Sequence, residues 1–320
     1  MGKGGVETKT DDLETNKKEK IRELLERSVV DLIDKDTLVN ALQSKRQLRV
    51  KFGIDPTDPK LHLGHAVGLL KLKQFQELNQ RVILLVGDFT GRIGDPTGRM
   101  AIRKPLSEEQ IISNIETFKE QAGKILSFDS QTNPVELRYN SEWLAFWDAR
   151  DFFFLAKKIT ANQILSRKTF AERMEHGKDI SIPEFIYPVL QGYDSYALEA
   201  GVELGGTEQI FNLMMGRRIQ RLLGQKPQVV MTLELLPGID GNKMSKSAEN
   251  TINFTDSPEV MRKKLASLSD KLIMKYFTLV TRVSISELDM IQKFIDKGNV
   301  GEAKEKLIEE IISLFHPNAK

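Results

Sequence analysis

Between Leu48 and Gly87 the sequence spells out a strand, a helix and a second strand, and that unit restricts the chain to a small set of α/β folds. Leu48-Arg49-Val50-Lys51-Phe52-Gly53-Ile54 alternates well enough for a short buried strand. Val67, Leu69, Leu70, Leu72, Phe75 and Leu78 then recur at helical spacing. Val82-Ile83-Leu84-Leu85-Val86-Gly87 is a near-continuous apolar run, as expected of a strand covered on both faces of a parallel sheet. Two such strands joined by a helix imply a right-handed crossover. The turn that opens the helix holds two of the chain's four histidines, His62 and His65, with Gly64 between them. Strand-to-helix turns aim free N–H groups and the positive end of a helix dipole above the sheet, which favours phosphate. Histidine can donate from both ring nitrogens, and glycine lets a flat ligand approach the backbone. Taken alone, the fragment fits a capped helix start with two surface histidines equally well.

A chain of 320 residues can build one large core or two unequal domains. Forty-seven basic against 45 acidic residues give a net charge of +2, so DNA is not an expected partner and any RNA needs a local basic surface. There is no cysteine, which excludes disulfides, thiolate metal sites and a cysteine nucleophile, and suits a reducing cytosol. No apolar run approaches the ~18 residues of a membrane span. The first residues lack an apolar h-region and turn acidic at Asp11-Asp12, and Val6 stands where a myristoylation signal needs Ser or Thr. A cytoplasmic protein without membrane attachment is expected.

Residues 1–10 read as a flexible tail. From Asp12, the positions Ile21, Leu24, Leu25, Val29, Leu32 and Ile33 mark one helical face, and Asp36 to Leu42 a second short helix. After the second strand, Gly87 to Arg99 brings four glycines, two carboxylates and two arginines to a strand's carboxyl end, the place for a ligand-contacting loop or a solvent loop with tight turns. Ser107 with Gln110 is a capping box opening a helix to about Leu126, and Val135 to Tyr139 reads as a strand. The aromatic segment from Trp143 to Phe154 belongs in a core or a subunit interface. Capping boxes recur at Thr160 with Gln163 and Ser181 with Glu184. In the helix begun at Ser181, Tyr187, Gln191 and Asp194 are four and three residues apart and share a face, either a polar pocket in apolar walls or an ordinary solvated face; Pro188 should kink it or leave backbone groups freed. Val202 to Gln209 repeats the strand end, glycine pair and helix start, Gln228 to Leu233 is a further strand, and Gly238 to Ser247 is a polar loop with two lysines. Short amphipathic helices follow from Asp256.

His62-Leu63-Gly64-His65 followed about 180 residues later by Lys243-Met244-Ser245-Lys246-Ser247 resembles the two signature sequences of class I aminoacyl-tRNA synthetases. Gly94-Asp95-Pro96-Thr97-Gly98, the Tyr187, Gln191 and Asp194 set, and Gly205-Gly206-Thr207-Glu208-Gln209 are similar to those of bacterial-type tyrosyl-tRNA synthetases, over roughly residues 36–316. The resemblance implies a Rossmann-like doubly wound parallel sheet over residues 11–250, a helical dimerisation insertion at about 107–180, and an α-helical anticodon-side domain over 251–320. It implies the substrates tyrosine, ATP with Mg2+ (no dedicated protein metal site) and tRNA(Tyr), and a homodimer. His62, His65 and Thr57 would meet the triphosphate, with Lys243 and Lys246 closing over it on a loop. Gly53, Asp55, Gly64, Gly206, Glu208, Gln209, Met244 and Ser245 would line ATP and the adenylate. Asp95, Tyr187 and Gln191 would surround the α-ammonium group with Thr90 nearby, and Asp194 would accept from the phenol hydroxyl. Phenylalanine would leave that buried carboxylate without a partner.

Three departures from the family pattern stand out. Where many relatives place a second tyrosine against the phenol, this sequence has Lys51, which leaves the phenol's second partner open. Glu208 occupies a position that usually carries aspartate. The sequence ends at Lys320, where bacterial relatives continue into a small RNA-binding domain that is expected to be absent here. Other readings follow from the same residues. A tryptophanyl-tRNA synthetase shares both signatures, but Tyr187 and Asp194 suit a phenol better than an indole. A tyrosine-adenylating ligase with another acceptor is a second alternative. A non-catalytic RNA-binding homologue is a third, with no need of both signatures.

Overall fold

Among the described residues six strands, β1 (Val29–Ile33), β2 (Arg49–Ile54), β3 (Arg81–Val86), β4 (Glu136–Tyr139), β5 (Val202–Gly206) and β6 (Val229–Leu233), form one sheet in the order β1-β6-β5-β2-β3-β4. β2 to β6 run parallel, and β1 closes one edge antiparallel to β6. The computed structural model describes residues 4–44, 46–97, 106–244 and 249–317, with side chains from residue 15 onward. Its helices are α1 (Gly4–Glu26), α2 (Lys35–Gln43), α3 (Leu63–Glu77), α4 (Glu108–Ile115), α5 (Phe118–Gly123), α6 (Ser141–Leu144), α7 (Ala149–Ala156), α8 (Ala161–Leu165), α9 (Lys168–Glu175), α10 (Ile182–Ala197), α11 (Ile210–Leu222), α12 (Pro258–Ala266), α13 (Ile273–Val280), α14 (Ile285–Asp296) and α15 (Val300–Phe315).

The chain builds β2, β3 and β4 outward in one direction, then returns to lay β5 and β6 on the other side of β2. β2 and β5 are therefore neighbours at the point where the winding reverses, and a crevice opens at their carboxyl ends. The apolar run read as β3 is buried along its length except at Arg81. The βα unit expected at the first signature is present, with α3 beginning at His62 as N-cap.

Three expectations need correction. Val29 to Ile33 is not the end of the first helix but β1: the backbone at Ser28 turns to a positive φ of 57°, which stops α1 and sends the chain to the sheet edge. α1 itself begins at Gly4, inside the segment expected as a tail. The helix from Ser107 ends at Ile115 and resumes as α5, instead of running to Leu126. The strand read at Val135 to Tyr139 is β4, which leaves the 107–180 segment to join the sheet beside β3. Pro188 lies inside α10, which continues from Ile182 through to Ala197.

The C-terminal helices share one apolar core with the sheet: Phe75 of α3, Phe277 of α13 and Phe315 of α15 belong to the same buried cluster. Buried cations seal the junction. Lys71 on α3 donates to the carbonyls of Leu24 and Arg27 at 2.8 and 2.7 Å, satisfying the end of α1. Arg27 in turn donates to the carbonyls of Phe277, Thr278 and Thr281 at the end of α13. Burial pushes the Lys71 amine down to about 7.

α3 seats on β2 through a glycine. A Cβ at Gly68 would fall 2.2 Å from Cζ of Phe52, so the helix can lie this close only without a side chain there. Gly68→Ala is expected to lift α3 from the sheet and lower stability by about 1–3 kcal/mol; the urea midpoint, read with an unchanged slope, measures it.

Candidate active site

A cavity of about 400 Å³ opens where β2 and β5 end, within the range of small-ligand sites. Its walls come from the ends of β2 and β5, the start of α3, one face of α10 and the segment after β6. Of the residues expected in the site, Lys51, Gly53, Asp55, Thr57, His62, Gly64, His65, Thr90, Asp95, Tyr187, Gln191, Asp194, Gly206, Glu208, Gln209, Lys243 and Met244 all line it. Ser245 and Lys246 lie outside the described residues.

The two imidazoles are held by the helix start they belong to. The N–H of Gly64 donates to Nδ1 of His62 at 3.1 Å, and the N–H of His62 donates to Nδ1 of His65 at 3.1 Å. This is a capping box built from two histidines. An Nδ1 that accepts carries no proton, so each neutral ring keeps its hydrogen on Nε2. Burial lowers His62 to about 4, and burial, with His62 beside it, holds His65 well below its usual value. The rings, 4.0 Å apart, are thus uncharged donors through Nε2 alone, not through both nitrogens as the sequence allowed.

The far wall is acidic and closely bonded. Asp55 accepts from Tyr187 Oη at 2.7 Å and from Thr90 Oγ1 at 2.9 Å. Burial, then the carboxylates of Asp55 and Asp95, keep the Tyr187 phenol protonated well above its usual range. Gly87 is required here, since a Cβ would sit 2.0 Å from Asp55 Oδ1. Asp95 accepts from Gln209 Nε2 at 2.6 Å and from Arg167 at 3.4 Å. Gln191 Oε1 is buried and has no partner among the described residues, an acceptor left for a ligand. Gly53 faces open space, with nothing within 4 Å of where its Cβ would be. Glu208 folds back toward Gly206, and burial raises its carboxyl, with Lys243 acting the other way.

Asp194 is buried on α10 and accepts from Trp143 Nε1 at 2.9 Å and from Asn140 Nδ2 at 3.3 Å. Burial pushes its carboxyl up to about 7, with Lys51 as the chief opposing influence. The helical spacing of Tyr187, Gln191 and Asp194 did mark a pocket face. Asn140, Trp143, Glu203 and Arg167 escaped the sequence reading. Only Glu203 left a signal, as a charge set between Val202 and Leu204 in an apolar strand.

A parallel sheet with its crevice at the winding reversal, two imidazoles at a helix start and a lysine from a late loop lining the same cavity fit a nucleotide-using ligase site of class I type. The model of the family described as tRNA synthetases class I (W and Y) matches residues 43–320, and the chain belongs to that family. The tyrosine–tRNA ligase of Thermotoga maritima is 46% identical over 302 residues, 93% of this chain and 74% of that protein. That of Desulfotalea psychrophila is 47% identical over 301 residues, 92% and 73%. A C-terminally truncated mitochondrial tyrosyl-tRNA synthetase of Aspergillus nidulans shares the fold with a TM-score of 0.79, at 23% identity over 96% of this chain and 92% of that one. A tyrosyl-tRNA synthetase from Archaeoglobus fulgidus complexed with L-tyrosine does so with a TM-score of 0.75, at 21% identity over 93% and 97%.

Because Asp194 holds a proton in the folded state up to about pH 7 and the unfolded carboxyl loses it near 4, folding binds a proton across that window. Its contribution to stability therefore falls as pH rises from 4 to 7 and is level above. Asp194→Asn removes this loss. Between pH 4.5 and 8 the stability of that variant relative to wild type is expected to climb by roughly 1.4 kcal/mol for each pH unit separating the folded and unfolded midpoints. Urea unfolding at several pH values gives the curve.

Proposed function

We propose that this chain is a tyrosine–tRNA ligase: it joins tyrosine to ATP, bound as its magnesium complex, releases pyrophosphate, and passes the tyrosyl group to the terminal adenosine of tRNA(Tyr). The observation that carries this is one continuous cavity lined by His62, His65 and Lys243 for a polyphosphate and by the buried carboxylate of Asp194 for a phenol. The close kinship with tyrosine–tRNA ligases supports the same substrate.

In the first step the tyrosine carboxylate attacks the α-phosphorus and the bond to the bridging oxygen of pyrophosphate breaks. Negative charge gathers on the departing group, and little proton transfer is needed. Catalysis then rests on positioning and preorganised donors. His62 and His65 supply Nε2–H donors at the start of α3, whose dipole adds to them, and Thr57 supplies a hydroxyl. Neutral imidazoles donate without attracting a competing anion in the ground state. Lys243, which lines the cavity, brings a full charge, and Lys246 of the same signature would add a second. At the other end Asp95 and Gln191 take the α-ammonium group beside Tyr187, and Thr90 steadies Asp55. The phenol donates to Asp194.

ATP–pyrophosphate exchange tested across the twenty amino acids is expected to proceed with tyrosine and not with phenylalanine or tryptophan; charging of total tRNA then separates a tRNA ligase from a ligase with another acceptor. Lys246→Ala is expected to lower the exchange rate by roughly 100-fold or more while tyrosine binding changes little, on the scale of removing one transition-state donor. Equal losses in both would assign Lys246 to ground-state binding.

A homodimer goes with this reading. Phe146, Phe153 and Phe154 stand 83%, 68% and 53% exposed on and beside α7, a patch too apolar to face water. No described helix is long and apolar enough to cross a membrane, and a cysteine-free chain fits the cytosol. Sedimentation at micromolar concentration should give a dimer, and Phe153→Asp should shift it toward monomer.

A further inference from the structure

Two opposite charges meet inside the sheet. Lys51 of β2 and Glu203 of β5 are paired in register on neighbouring parallel strands, with side chains only 1% and 2% exposed. Lys51 Nζ lies 2.8 Å from Glu203 Oε1. It also donates to Ser195 Oγ at 2.8 Å and to the carbonyl of Gln191 at 3.4 Å. Ser195 Oγ donates on to Glu203 Oε2 at 3.0 Å, and Gln228 Nε2 reaches the same oxygen. Gln191 and Ser195 bracket Asp194 on α10, so the lysine grips the helix on both sides of that carboxylate. Lys51, Glu203 and Asp194 all line the cavity.

Stability gives no reason for the pair. Desolvating two charges costs about as much as their attraction returns, and apolar residues of similar size generally serve a sheet as well. Their placement against the cavity does give one. We propose that Lys51, held by Glu203, is the residue that sets tyrosine specificity: it fixes the Gln191–Ser195 turn and keeps a positive charge behind Asp194, so that a carboxylate faces the phenol. This rests on the tyrosine reading above and concerns the same pocket.

The electrostatics agree with the geometry. Asp194 faces Lys51 from β2 and Glu203 from β5, the neutral donors Asn140 and Trp143 beyond β4, and Tyr187 from its own helix; Asp55 and Asp95 lie on the other side of Tyr187. Burial favours the neutral acid, Lys51 favours the carboxylate, and Glu203 works weakly against it. Without Lys51 the group holds its proton to higher pH. A neutral acid left without a partner is penalised less than a carboxylate, so phenylalanine is rejected less strongly. Lys51 is thus a positioning residue that acts through Asp194.

The test follows kcat/KM for tyrosine and phenylalanine in ATP–pyrophosphate exchange from pH 5.5 to 9, with wild type, Lys51→Met, Glu203→Gln and the double variant, all as the full chain. The acid-side midpoint for tyrosine, which reports the free enzyme, is expected to rise in the order Glu203→Gln, wild type, double variant, Lys51→Met. At pH 7 the tyrosine-over-phenylalanine ratio of Lys51→Met should fall about fivefold for the first pH unit by which its midpoint rises and up to about tenfold for each further unit, and recover toward pH 9. kcat at saturating tyrosine should stay within a few-fold. If Lys51→Met leaves Glu203 uncompensated and does not fold, the order of the other three still decides. A common midpoint, or equal losses for both amino acids at every pH, would reduce the pair to sheet packing and overturn the proposal. Wild type inactive with tyrosine would instead overturn the substrate reading, and this proposal with it.

Discussion

The N–H groups at the start of α3 have to be satisfied, and the way this is done governs the site. Two of them are taken up by histidine Nδ1 atoms, one from His62 and one from His65. The hydrogen bonds that terminate the helix are therefore the same ones that fix the tautomer of both rings. Nε2–H is what remains, on two residues that line the cavity. Burial then removes the option of a charged imidazolium, since each ring is held well below its usual range. A helix cap and a pair of neutral donors are one structure, and neither can be altered without the other.

That structure needs a fixed platform. β2 supplies it by lying at the reversal of the sheet, with β3 on one side and β5 on the other. α3 lies close on β2 because Gly68 carries no side chain over Phe52. On its outer side α3 is locked by Lys71 to the end of α1, and α1 is locked by Arg27 to the end of α13. The C-terminal helices are thereby continuous with the catalytic core, and a load on them reaches α3 through packed side chains and buried hydrogen bonds.

What the sequence disclosed was local. β3 was legible because both faces of a central parallel strand are covered, and its residues are apolar without interruption. Capping boxes at Ser107, Thr160 and Ser181 located three helix starts, because a cap is a contact within four residues. The same locality explains the errors. Val29, Leu32 and Ile33 continue a helical period by accident of spacing, and only β6, about 200 residues away, makes them a strand. The capping box at Ser107 announces α4 but carries no information on the break before Phe118. In the site, the motif residues were found through the family resemblance that their order and spacing carry, while Asn140 and Trp143 were not, because they reach Asp194 across 54 and 51 residues.

Lys51 and Glu203 show where such reading stops and why. Each is a charge set between apolar neighbours of a strand, Val50 and Phe52 in one case and Val202 and Leu204 in the other, and each alone looks like a local fault in the pattern. Parallel pairing of β2 with β5 brings the faults together in register, 2.8 Å apart. Once paired, they give the cavity two ends of opposite electrostatic design. The end near α3 holds two imidazole donors that carry no charge, with Lys243 also lining the cavity, suited to a group whose charge grows as the reaction proceeds. The end near α10 holds fixed charges with burial around them, suited to judging a ligand before any reaction begins. An uncharged donor gains most where charge develops later, and a buried carboxylate discriminates most where the ligand is neutral and must supply a hydrogen bond. On the proposed reading the two ends divide activation and selection between them, and β2 runs under both.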